Sequence, residues 1–127
     1  MIVRPARQED LPAIVEIVER CGLGVDGLDY STWTGVTLVA VRQEQIVGFV
    51  NALPGAPYAV IREIGVLPEH QKSRACTKLM ESIELILRSM GCTAWTGYVG
   101  EVRELSSTLK TWGAESTGPG SVWIRRL

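Results

Sequence analysis

Ile61-Arg62-Glu63-Ile64-Gly65-Val66-Leu67-Pro68-Glu69-His70-Gln71-Lys72-Ser73-Arg74-Ala75-Cys76-Thr77-Lys78-Leu79-Met80 passes from a β-type run to a helical one within a few residues. Apolar and branched side chains up to Leu67 read as the end of a strand that begins near Tyr58, and Pro68 closes it. From about Gln71 to Met90 the period changes. Ala75, Leu79, Ile83, Ile86 and Met90 lie on one stripe, joined by Met80 and Leu87, while Lys78, Glu81, Glu84 and Arg88 mark the solvent side. Gly91 is placed to end that helix as its C′ residue. A helix that opens this way presents backbone N–H groups without intrahelical acceptors at the positive end of its dipole, which attracts phosphate. His70, Lys72 and Arg74 add donors there. Every helix begins with such groups, however, and basic side chains beside them are commonly just solvated.

Upstream, Ile2 to Arg4 is a short extended start. Leu11, Ile14, Val15, Val18 and Cys21 then repeat at helical spacing, with Glu16 and Arg20 four residues apart and Gly22 as a stop. Residues 22 to 35 are broken by four glycines, with Leu28, Tyr30 and Trp33 suggesting one or two helical turns. Val36 to Arg42 and Gln45 to Leu53 flank Gln43-Glu44 and read as an antiparallel hairpin that lacks a standard turn pair. Downstream come a strand at Cys92 to Val99, a helix carrying Val102, Leu105, Leu109 and Trp112 that stops at Gly113, and strands at Ala114 to Thr117 and Ser121 to Arg126. This order predicts one α/β (α+β) domain over residues 1–127. Its mixed, mostly antiparallel sheet has six to seven strands, flanked by three to four helices on both faces, with one strand–helix–strand crossover in the middle.

Composition narrows the function. A net charge of −1 over 127 residues leaves no general basic field, so nucleic acid is not an expected partner. Cys21, Cys76 and Cys92 make an odd count with no CxxC pair, which predicts a reducing compartment and neither a disulfide framework nor a metal site. No apolar run approaches the roughly 20 residues of a membrane span, and the start, MIVRPARQED, has no leader-like apolar segment. The expectation is a soluble, cytoplasmic protein.

Nearly the whole chain resembles the GNAT (GCN5-related N-acetyltransferase) superfamily. Ile2 to Ile14 is similar to its first strand and helix, Thr37-Leu38-Val39-Ala40-Val41 and Ile46-Val47-Gly48-Phe49-Val50 to its central hairpin, and Ile64 to Gln71 to its acetyl-CoA strand. Leu109-Lys110-Thr111-Trp112-Gly113-Ala114 is similar to the end of its late helix. The resemblance implies that Ile64, Gly65 and Val66 hold the pantetheine arm of acetyl-CoA, or of another acyl-CoA, along a strand splayed from its neighbour. It further implies that Gln71, Lys72, Ser73, Arg74, Ala75 and Cys76 form the pyrophosphate loop. The family pattern has glycine where Arg74 and Cys76 stand, which predicts weakened cofactor affinity: a Cβ takes up space at a close backbone approach. Arg74 either blocks the pyrophosphate or turns outward and pairs with a phosphate. On the steric alternative, Arg74→Gly tightens binding.

Amine acetylation needs a base for the ammonium and an acid for the departing thiolate. Glu63 is the candidate base, against a solvated or ion-paired role with Arg62 or Arg4. The family's late-helix Asn and Tyr positions hold Val102 and Leu109, so Tyr98 is the candidate acid, against a merely packed ring. His70 suits capping or exposure better than catalysis, and Cys76 suits packing better than nucleophilic attack. Trp33, Trp95, Trp112 and Trp123 read as core and rim aromatics, with Trp33 also a candidate for lining an acceptor pocket.

Two readings of function follow. One is an acyl-CoA-dependent N-acyltransferase working by direct transfer to an unidentified amine acceptor in a ternary complex. The other is a catalytically degenerate member of the fold acting as a binding or structural protein. Small phage-encoded GNAT-like proteins have similar Ser-Arg-Ala loops and Leu-Lys-x-x-Gly-Ala helix ends, and that likeness places the chain in a host cytoplasm or a virion. A weaker third reading puts some other nucleotide or phosphate at the same helix start. A free edge on the final strand would allow a homodimer or larger assembly.

Overall fold

Gln43 and Glu44 turn the chain between two neighbouring antiparallel strands, Val36–Arg42 and Gln45–Leu53. A computed structural model describes residues 1–22, 35–55, 57–71, 73–98, 110–111, 113–116 and 122–127, with positions 98, 116 and 122 described in backbone only. The strands are β1 (Ile2–Pro5), β2 (Val36–Arg42), β3 (Gln45–Leu53), β4 (Tyr58–Val66), β5 (Ala94–Tyr98), β6 (Glu115–Ser116) and β7 (Val122–Arg126). They form one sheet in the order β1-β2-β3-β4-β5-β7-β6. All neighbours are antiparallel except β4 and β5, which are parallel and joined through the helix Ala75–Ser89.

The helix Leu11–Arg20, here α1, lies on one face and Ala75–Ser89, α2, on the other, as two separate apolar clusters show. Strand alternation sorts the residues between them. Val39, Phe49 and Leu67 pack with Ile14, Ile17 and Val18 of α1. Leu38, Ala40, Val50, Ala52, Ile61 and Val66 pack with Leu79, Ile83 and Leu87 of α2, together with Trp95 and Trp123. Gly48 permits that second approach, because a Cβ there would stand 3.1 Å from Leu79 Cδ1 and 3.0 Å from the Gly65 carbonyl oxygen. Asp10, 5% exposed, ties β1 to α1: Arg4 donates to both of its oxygens at 2.7 and 3.0 Å, and the Arg7 amide donates at 2.7 Å. The pairing holds the Asp10 carboxyl below the usual range, the Arg4 hydrogen bond being the main cause.

Several details differ from the sequence reading. α2 begins at Ala75 rather than Gln71, because Pro68–His70 forms a 3₁₀ turn that the Ser73 amide closes on the His70 carbonyl. Glu84 is buried rather than solvated. It accepts from Trp95 Nε1 at 2.8 Å and from Arg125 Nε at 2.9 Å, so α2 is pinned to β5 and β7 by a carboxylate whose partners compensate its burial. Met90, expected on the apolar stripe, is 50% exposed at the helix end. The final strand is no edge, since β7 lies between β5 and β6. The expected turns within residues 23–34 and most of the helix around Val102 to Trp112 lie outside the described residues; Lys110 and Thr111 are helical. Among the described residues no helix is long and apolar enough to cross a membrane.

Gln43 and Glu44 have φ of 50° and 65°, the left-handed pair of a two-residue hairpin turn, where asparagine and glycine are the usual occupants. Such a conformation costs a side-chain-bearing residue about 1 kcal/mol, offset in part by glycine's greater freedom in the unfolded chain. Glu44→Gly is therefore expected to raise the melting temperature by about 1–4 °C. A fall measured by calorimetry would contradict this turn.

Candidate functional site

The site is built where β4 loses its second neighbour. Against β3, β4 is paired through to Val66. Among the described residues, it is paired against β5 only from Tyr58–Ala94 to Ile61–Gly97. A β-bulge marks the parting: Ala52 faces Ile61 and Asn51 faces Glu63, so Arg62 is the extra residue. Beyond it, the Leu67 amide donates to the Val47 carbonyl at 2.8 Å and so points to β3. Alternation then turns the N–H and C=O groups of Val66 and Ile64 away from β3, into the gap that β5 does not fill.

Side chains already use part of that edge. The Val66 carbonyl accepts from Gln71 Nε2 at 3.3 Å and from Cys21 Sγ at 3.2 Å. Arg20, the last residue of α1, pairs through both guanidinium nitrogens with Glu69 at 2.9 and 2.6 Å. This exposed pair adds little stability, yet it joins the end of α1 to the turn after β4.

At the start of α2 the first helical bond is from the Lys78 amide to the Arg74 carbonyl. The amides of Ala75, Cys76 and Thr77 therefore lack intrahelical acceptors, and the Arg74 side chain does not cap them. Arg74 has φ −57°, which any residue adopts, and its side chain is exposed. Cys76 turns toward the α2-side core, and burial pushes its thiol up to about 11. The helix start thus does not activate it. Ser73 bonds back to the His70 carbonyl through both amide and hydroxyl. His70 Nδ1 is buried without a partner. Lys72 lies outside the described residues.

Glu63 stands at the parting itself, on the face that carries α1. Neither arginine weighed as its partner bonds to its Oε2: Arg4 is committed to Asp10, and Oε2 is buried with no hydrogen bond. Burial raises the carboxyl above its ordinary range, and the nearby Arg62 charge opposes this only in part. Tyr98 closes β5 one residue past the last β4–β5 pair, with its backbone paired to Val122. Trp95 and Trp123 are core residues at 2% and 4% exposure, while Trp33 and Trp112 lie outside the described residues.

One contributor escaped the sequence reading. Asn51, 2% exposed, sits directly opposite Glu63 and donates through Nδ2 to Thr37 Oγ1 at 2.8 Å. Its signal was present as an amide within the apolar run Ile46 to Leu53, a position at which a strand ordinarily buries carbon.

A parallel β4–β5 pair opens after one bulge, with the start of α2 beyond it. The acetyltransferase (GNAT) family model matches residues 6–104, and the chain belongs to that family. No curated protein matches it closely. Among solved structures, Ard1 from Thermoplasma volcanium is similar over 99% of this chain and 97% of its own, at 15% identity and a TM-score of 0.81. A GNAT family acetyltransferase from Brucella melitensis in complex with acetyl-CoA covers 99% of this chain and 87% of its own, at 18% identity and a TM-score of 0.74. The ribosomal-protein-S18-alanine N-acetyltransferase of Escherichia coli covers 98% and 92%, at 15% identity and a TM-score of 0.77. At these identities the likeness is one of fold.

Because burial raises the Glu63 pKa on folding, its contribution to stability is fully present below the unfolded value near 4.3 and is lost as pH rises through the folded value. Glu63→Gln, which removes the buried charge, is expected to melt above the wild type at pH 8 and level with it near pH 4. Equal melting at both pH values would show that Glu63 is solvated.

Proposed function

We propose that this chain is an acyl-CoA-dependent N-acyltransferase that moves an acetyl group from acetyl-CoA to a primary amine by direct transfer in a ternary complex. The observation that carries the reading is Glu63 Oε2, buried and unpartnered where β4 leaves β5. A carboxylate that gives up hydration without gaining an internal donor is retained at a cost, and such a group in a cleft is suited to proton transfer.

The residues present fit the cofactor. Ile64 and the Val66 amide face the gap and suit an amide-bearing arm, as the sequence resemblance implies, while the Val66 carbonyl already accepts from Gln71 and Cys21. The amides of Ala75, Cys76 and Thr77 suit a diphosphate. Cys76 packs against the core and Arg74 is exposed, which favours a guanidinium paired with phosphate over one that blocks it. When bound, acetyl-CoA supplies the acyl group as a thioester.

Glu63 takes a proton from the acceptor ammonium, which frees the nitrogen lone pair to form the new C–N bond as the C–S bond breaks. Tyr98 returns a proton to the departing sulfur. The nitrogen gives up its second proton as the amide forms; that proton restores Tyr98, and Glu63 releases the first to solvent. The raised Glu63 pKa keeps the base closer to working pH than a solvated carboxylate would be. Three free cysteines support a reducing, cytoplasmic setting, and the Ser73-Arg74-Ala75 loop supports the phage-like resemblance.

Acetyl-CoA at 100 times its dissociation constant is expected to stabilise the fold by about 2.7 kcal/mol in a thermal-shift titration; no shift at millimolar cofactor favours the degenerate binding module. In a transfer assay Glu63→Gln should lose about 10²- to 10⁴-fold in kcat/KM, and the acid limb of the wild-type pH profile should lie above the ordinary carboxylate range. A variant of undiminished rate would remove Glu63 from the mechanism. By calorimetry, Arg74→Gly should weaken acetyl-CoA about tenfold, whereas tighter binding would restore the steric account.

A further inference from the structure

The first half of β4 is apolar on both of its faces. Ala59 and Ile61 point into the core under α2, so by alternation Tyr58, Val60 and Arg62 stand on the face that carries α1. That helix does not reach them: its buried apolar contacts are Val39, Phe49 and Leu67, over β2, β3 and the residue just beyond β4. Tyr58 is accordingly 64% exposed, and Val60 is exposed together with its register partner Leu53 on β3 and with Ile124 on β7. One row runs Leu53–Val60–Thr96–Ile124 and ends at Glu115 on β6, and the next runs from Tyr58 through Ala94 to Arg126. Arg62, Glu115 and Arg126 are exposed as well. A sheet with one wet face ordinarily puts polar side chains there, and a parallel pair such as β4–β5 is ordinarily covered on both faces. Among the described residues, this half of the sheet has a helix on the α2 side only. A row of exposed carbon in that place marks an interaction surface.

We propose that a second copy of the chain covers this face, sheet against sheet, about a two-fold axis that runs along β5. Packed sheets lie about 10 Å apart with strand directions within about 30° of one another. The axis lays β4 of one copy over β7 of the other, and β3 over β6. Val60 then meets Ile124 of the second copy, and Tyr58 meets the guanidinium of its Arg126, a cation over a ring. Two-fold symmetry makes each contact twice. Charge decides between this axis and the one at right angles to it. A two-fold across the strands, through the Val60–Ile124 row, sets Glu115 against Glu115 and repels. The axis along β5 instead sets Glu115 over Leu53 of the second copy, with Arg62 of that copy one strand across and two residues along. Five strands at about 4.8 Å spacing make a face about 19 Å wide. That is at the small end for a specific interface, so the dimer exchanges with monomer in roughly the micromolar range. The association does not depend on the transferase reading.

The test is sedimentation equilibrium of the full chain from about 1 μM to about 1 mM, a range that brackets the expected constant. The wild type should rise reversibly from 13.9 kDa to twice that mass. Val60→Glu and Ile124→Glu should each weaken association about a hundredfold, while Leu85→Glu, at an exposed leucine on α2, should leave it unchanged. All three positions are exposed, so the variants should stay folded and melt close to the wild type. Val60→Glu combined with Ile124→Lys sets opposite charges across the axis along β5 and should recover the association that Val60→Glu alone loses. Under an axis across the strands the same double variant places glutamate on glutamate and lysine on lysine, and stays monomeric. A wild type that is monomeric throughout the range, a species larger than a dimer, a dimer indifferent to Val60→Glu, or a double variant that does not recover would each overturn the proposal.

Discussion

β4 has a partner along its whole length on one side and along only its first half on the other, and the rest of the molecule is arranged around that inequality. A strand ordinarily pairs both edges, because a buried N–H or C=O without a partner costs about as much as a lost hydrogen bond. Here the bulge at Arg62 ends the pairing with β5 at Ile61–Gly97, and the groups of Ile64 and Val66 are left toward a gap. Cys21 and Gln71 cover one carbonyl of that edge without closing it.

The opening persists because both of its walls are held from behind. On one side, β3 and β4 are backed by α1 through Phe49 and Leu67, and Arg4 and Asp10 fasten α1 to the sheet. On the other, β5 is held by β7, and the Glu84–Trp95–Arg125 group clamps both strands to α2. Buried charges at these two places cost desolvation, which close partners return. Glu63 differs from both: its Oε2 is buried at the parting with no hydrogen-bond partner.

Most of the architecture was legible from period and punctuation. The change from strand to helix across Pro68, the stripe Ala75 to Leu87 and the glycine stop at Gly91 all correspond to observed elements, and the crossover order carried the parallel β4–β5 pair with it. What sequence spacing does not carry is contact over long separations. Glu84 looks solvent-facing on a helical wheel and becomes a core group only because Trp95 and Arg125 arrive from other strands. Cys76, by contrast, is packed against the core as its sequence reading expected, and burial wins over the helix dipole. Asn51 was passed over because its meaning depends on register: a buried amide in β3 matters only once the bulge sets Glu63 opposite it.

Amide hydrogen exchange, followed residue by residue with and without coenzyme A, tests the open edge most directly. If the cofactor arm completes the pairing that β5 abandons, the Ile64 and Val66 amides slow sharply on binding, while Gly65, already turned to β3, changes little. Uniform slowing across β4, or protection confined to the start of α2 with Ile64 and Val66 unaffected, would contradict the account.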